Sequence, residues 1–124
     1  MGRLDGGATI TTMSRIPEKS RTIVATRDMG RCVRCNSGAS HEYHHRRGRS
    51  VPGAHQHCPG NGITLCRTCH AWVHAHPIES RAMGWIVSRH AEPDETLLYT
   101  AQFGWVQYHH EGSYTYAPEP EENL

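Results

Sequence analysis

No apolar run in this sequence approaches the roughly 18 residues that a membrane-spanning helix needs. The opening stretch, MGRLDGGATITTMS, lacks the apolar centre of a signal peptide. Its Gly- and Thr-rich composition predicts a disordered tail over 1–14. Both absences lead us to expect a cytoplasmic protein without a membrane partner, whose cysteines serve as ligands rather than disulfides. Apolar residues are also scarce. Only 36% of the 124 residues are hydrophobic, and the mean hydropathy is −0.67. That length fits one domain, but so thin a core calls for a staple, and a structural metal is one. There is no internal repeat.

What the chain has in quantity is metal-binding chemistry: eleven histidines and five cysteines. The net charge of +1 hides an asymmetry. Between Arg15 and Arg67, ten basic residues face only Glu18, Asp28 and Glu42. From His76 onward, Arg81 and Arg89 face eight acidic residues. The first half suits a polyanion, whereas the acidic end would be repelled by one.

Pro17 and the stretch to Asp28 read as a helix stopped by Gly30. His41–Arg46 reads as a short strand, Gly48–Asn61 as a loop and Ile63–Leu65 as a second strand. Cys69–Ala75 reads as a helix broken by Pro77, and Ile78–Met83 as a further turn or two ending at Gly84. Beyond it, Trp85–Ser88, Leu97–Thr100, Trp105–Tyr108 and Ser113–Tyr116 read as short strands of an antiparallel element. Trp85 and Trp105 would belong to its core. The acidic end, 117–124, reads as disordered.

Cys32-x2-Cys35 and Cys66-x2-Cys69 stand thirty residues apart. Each knuckle can aim two sulfurs at one point, and four thiolates suit a closed structural Zn²⁺ site. Such an ion would tie the base of the hairpin to the helix that starts near Cys69. Cys58 is left over and reads as a free thiol, with replacement of a ligand as the alternative. On the helix, His70 and His74 are four apart and share a face, so one second metal can take a nitrogen from each. The facing strand carries HEYHHRRGR, from His41 to Arg49. An ideal strand points His44 and His45 to opposite faces, which suits two jobs. Arg46, Arg47 and Arg49 follow as phosphate grips, because guanidinium binds phosphate bidentately. His41, His55, His57, His76, His90, His109 and His110 read as polar loop or surface residues, with a site role as the alternative for His55 and His57, which flank the loop of the expected active site.

Taken in order, His44-His45, Asn61, the second knuckle, His70 and His74 resemble the HNH endonucleases, which have the ββα-metal fold. The likeness spans about residues 31–76, and GNGITLCRTCHAWVH is similar to the second half of the family motif. The later GWIVSR segment resembles, more loosely, the tail of small HNH proteins of actinobacterial phages.

The resemblance implies an α+β fold: a zinc-stabilised ββα-metal core over 15–84, with an N-terminal helix. A β-rich extension over 85–116 would pack on that core. It further implies His44, His70 and His74 as ligands of one catalytic ion (Mg²⁺, Mn²⁺, Ni²⁺ or Zn²⁺). His45 would be the general base, and Asn61 would aim it by bonding across the hairpin loop. Glu42 reads either as an orienting carboxylate or as a solvated strand residue. The implied reaction is cleavage of DNA with low sequence selectivity, leaving a 5′-phosphate and a 3′-hydroxyl. The implied setting is a phage whose packaging proteins, such as a terminase, are partners in the host cytoplasm. Either a monomer or a homodimer fits. The alternative is a zinc-stabilised DNA-binding module without catalysis. A peptide hydrolase is disfavoured, since HExxH is missing.

Overall fold

A computed structural model describes residues 15–121. The elements are α1 (Glu18–Arg27), β1 (His41–His45), β2 (Gly62–Cys66), α2 (Arg67–Ala75) and α3 (Pro77–Ala82), followed by β3 (Leu98–Thr100), β4 (Gly104–Tyr108) and β5 (Tyr114–Tyr116). This is a small α+β domain with antiparallel sheets. β1 and β2 pair with His41 opposite Cys66 and His45 opposite Gly62. β3, β4 and β5 form a separate three-stranded sheet in that order. No helix among the described residues is long and apolar enough to cross a membrane. The expected tail over 1–14 lies outside the described residues, as do residues 122–124. Residues 117–121 form neither helix nor strand. The Ala117 amide still donates to Trp105 O at 3.0 Å, prolonging the β4–β5 pairing.

The hairpin is held because all five residues of β2 are buried. Ile63, Leu65, Val33, Val73, Trp85, Leu98, Val106 and Tyr108 form one apolar cluster. Residues on both sides of position 84 therefore share a core. This cluster is what fixes α2 beside β1.

The expected strand over Trp85–Ser88 does not form. Its backbone groups are taken by other partners. The amides of Trp85 and Ile86 both donate to Ser80 O, closing α3, and the Val87 amide donates to Arg46 O at 2.9 Å. Gly84 makes the preceding reversal, at φ +80°, where an added Cβ would lie 2.1 Å from Leu97 O. Only glycine fits there.

The core also holds an ion pair that sequence reasoning missed. Asp28 is wholly buried beside Arg27, with Arg27 Nε 3.0 Å from its carboxylate. The carboxylate also accepts from the Thr64 amide at 2.9 Å and the Tyr108 hydroxyl at 2.6 Å. Arg27 donates to Pro59 O and Gly62 O, both at 2.7 Å. The network joins α1, β2, the long loop and β4. It satisfies the charges that burial would otherwise leave exposed to a low dielectric.

Candidate metal centres and active site

The four knuckle cysteines come together: one sulfur from each of Cys32, Cys35, Cys66 and Cys69 lies within 4.8 Å of the others. The Cys35 and Cys66 sulfurs are 3.8 Å apart. Local backbone explains the arrangement. Asn36 adopts φ 68°, curling the first knuckle. Cys66 caps α2, its sulfur accepting from the Cys69 amide at 3.4 Å. That amide, and the sulfur hydrogen bonds around Cys66, outweigh burial and hold its thiol below the usual range. The Arg34 guanidinium donates to Cys69 Sγ at 3.3 Å, adding positive charge where thiolates would gather. Four cysteines at these distances suit a closed metal site.

One residue further along α2 the chemistry changes. His44 of β1 meets His70 and His74 of α2, with ring centroids 5.1 and 5.3 Å away, and 4.9 Å between the two helix rings. One nitrogen from each lies within 4.8 Å of the others. The hydrogen bonds select the tautomers. Trp85 O can only accept, so the 2.8 Å contact makes His44 Nε2 the donor and leaves Nδ1 for a metal. Glu42 accepts from His70 Nδ1 at 2.7 Å, leaving Nε2. Ligating histidines are typically held in this way, by a carbonyl or carboxylate on the second nitrogen. The His70 hydrogen bond also keeps the Glu42 carboxyl below its ordinary range. Burial pushes His44 down to about 3, so it is a neutral ligand at pH 7.

His45 lies beside this trio, and His44, His45, Arg49, His70 and His74 line one cavity of about 290 Å³. Burial, helped by the Arg49 charge, pushes His45 down to about 4. It is therefore neutral and able to accept a proton at pH 7. Its Nε2 lies 3.0 Å from His57 Nδ1. Asn61 is buried and clamps the loop: its Oδ1 accepts from the Arg47 amide at 2.7 Å, and its Nδ2 donates to Arg47 O and Gln56 O.

Comparison with known proteins gives the chain no family. No family model matches it, and no curated protein or solved structure does either. Function is therefore read from these distances and their chemistry.

Two expected site residues need correction. Arg46 is not a phosphate grip, because its side chain is buried, at 1% exposure. The guanidinium donates to Gly84 O, Gly60 O, Pro93 O and Thr96 O at 2.7–3.0 Å. Burial lowers its pKa to about 9, which still leaves it charged at pH 7. Arg47 is 12% exposed and is held against Ala91 O and Glu92. Of the three expected grips, Arg49 is the one that lines the cavity. Arg67 forms an exposed pair with Glu42, at 3.4 Å. His57 reads from the sequence as a polar loop residue flanking the site, and the structure sets it against His45. A signal was present: it sits in HQHC, inside the loop that Asn61 closes.

Proposed function

We propose that this protein is a metal-dependent endonuclease of the HNH type. In this reading β1, β2 and α2 form a ββα-metal core that hydrolyses DNA phosphodiester bonds. One observation carries the reading: three histidines with free, converging nitrogens share a cavity with a neutral His45 and with Arg49. Cys32, Cys35, Cys66 and Cys69 would hold a structural Zn²⁺. A divalent ion at His44, His70 and His74 would supply positive charge to the phosphoryl oxygens and to the departing 3′-oxygen. An all-imidazole set suits Ni²⁺ or Zn²⁺ more than Mg²⁺.

The chain's own residues do the rest. His45 takes the proton of the attacking water on one ring nitrogen, while His57 engages the other. The water oxygen bonds to phosphorus as the bond to the 3′-oxygen breaks, giving a 5′-phosphate and, after protonation, a 3′-hydroxyl. Arg49 steadies the phosphate without reading a base, consistent with low sequence selectivity. Asn61 keeps His45 aimed through the loop. A binding module without catalysis has use for the cysteines and Arg49, but not for the tautomers set by Trp85 O and Glu42.

The test is plasmid nicking by purified protein with Mg²⁺, Mn²⁺, Ni²⁺ or Zn²⁺, beside His45→Ala. Nicking that depends on an ion and on His45 is expected. Nicking no greater than the variant's with every ion would leave only the binding module.

A further inference from the structure

A third group of metal-binding side chains lies away from both clusters above. His55 and Cys58 sit in the long loop between β1 and β2, and His110 sits in the turn between β4 and β5. One ligand atom from each lies within 4.8 Å of the others. His55 Nδ1 is 3.3 Å from Cys58 Sγ. The rings of His55 and His110 stack with centroids 4.2 Å apart and planes 6° from parallel. His55-x2-Cys58 repeats the spacing of each cysteine knuckle.

The surroundings of His110 are those of a ligand. Its Nε2 lies 3.4 Å from the Asp94 carboxylate. Its Nδ1 is buried with no hydrogen-bond partner among the described residues. A buried ring nitrogen without a partner costs free energy unless something accepts its lone pair. Gly60 lets the ring approach the loop, since a Cβ there would come within 2.7 Å of that nitrogen.

We propose that His55, Cys58 and His110 form a further metal site that takes a borderline divalent ion such as Zn²⁺. Asp94 is the carboxylate placed to steady His110 from its other ring nitrogen. One thiolate and two imidazoles favour Zn²⁺ or Co²⁺ over Mg²⁺. The ion would clip the long loop to the β4–β5 turn. It would hold the residues on either side of His57 and so fix the neighbour of His45. The site stands whether or not the protein cuts DNA.

The experiment uses the full chain with its cysteine-cluster metal retained. His70→Ala/His74→Ala removes the other histidine site, and this background is compared with the same chain carrying Cys58→Ala or His110→Ala. After equilibration with Zn²⁺, the background chain should hold one zinc more per molecule than either triple variant, with unchanged far-UV circular dichroism. Equal zinc contents would overturn the proposal. A second measurement covers variants that fail to fold. Zn²⁺ added to the wild-type chain should slow iodoacetamide labelling of Cys58 by about tenfold or more, because a bound thiolate is a poor nucleophile. Mg²⁺ should leave the rate unchanged. Labelling at one rate with both ions would also overturn it.

Discussion

Helix α2 carries two clusters one residue apart, and they differ in almost every physical respect. Cys66 and Cys69 meet a second knuckle from a tight turn, so four sulfurs close on one point. His70 and His74 meet a single strand residue, and their cluster opens onto a cavity. In the reading proposed here, the first ion holds the fold and the second does the chemistry. The visible contrast is in what the opposing element brings: a second knuckle closes one cluster, and a single strand residue leaves the other open to the cavity.

The largest way to break the comparison is Cys35→Ser. It should lose the cluster's metal and the fold together, since such ions contribute about 10–16 kcal/mol in small zinc peptides. Metal content and far-UV circular dichroism check this; a folded, metal-free variant contradicts it. Arg46→Ala comes next. It strips the guanidinium from four buried carbonyls, at roughly 1–3 kcal/mol for each one left unsatisfied, so a denaturant midpoint should fall sharply. Arg49→Ala should leave that midpoint near wild type and reduce the salt slope of DNA binding by about one counterion. Equal effects from the two arginines would erase the distinction between buried staple and cavity residue.

His45→Ala should retain the fold and slow cleavage by about 10²–10⁴-fold. The smallest expected effect is on pH. His45 is held down to about 4, so its neutral, proton-accepting form persists above that value. At ion concentrations that keep the three-histidine site filled against proton competition, the His45 step should fail only as pH approaches 4. Stability runs differently. Unfolded histidine titrates near 6.5. Between there and the lowered folded values of His44 and His45, the unfolded chain binds more protons than the folded one. Stability should therefore decline as pH falls below about 6.5. A denaturant midpoint that rises over that range would contradict this.

The clusters on α2 were legible because their spacing is local. Two residues between cysteines and three between histidines fix geometry within a knuckle or a helical turn. The positions of β3, β4 and β5 were legible to within one residue from the composition of each short run, and the β1–β2 hairpin from two such runs joined by one loop. What was not legible depends on partners far along the chain. Arg46 looked like its neighbours, yet its four carbonyl acceptors come from the loop and from segments after α3. The failed strand at Trp85–Ser88 has the right composition, but its amides are claimed by Ser80 and Arg46. His57 and His110 needed the fold to show which rings they face. The Asp28 hub needed it too, because Tyr108 lies eighty positions away.

The division of labour along α2 is tested most directly by one variant with two readouts. His70→Ala would be assayed for retained metal and for cleavage of a defined DNA duplex across a Mn²⁺ or Ni²⁺ titration. The expected result is native circular dichroism, an intact cysteine-bound ion and cleavage lost at ion concentrations that saturate the wild type. Cleavage at the wild-type rate, or loss of the cysteine-bound ion along with the fold, would contradict it.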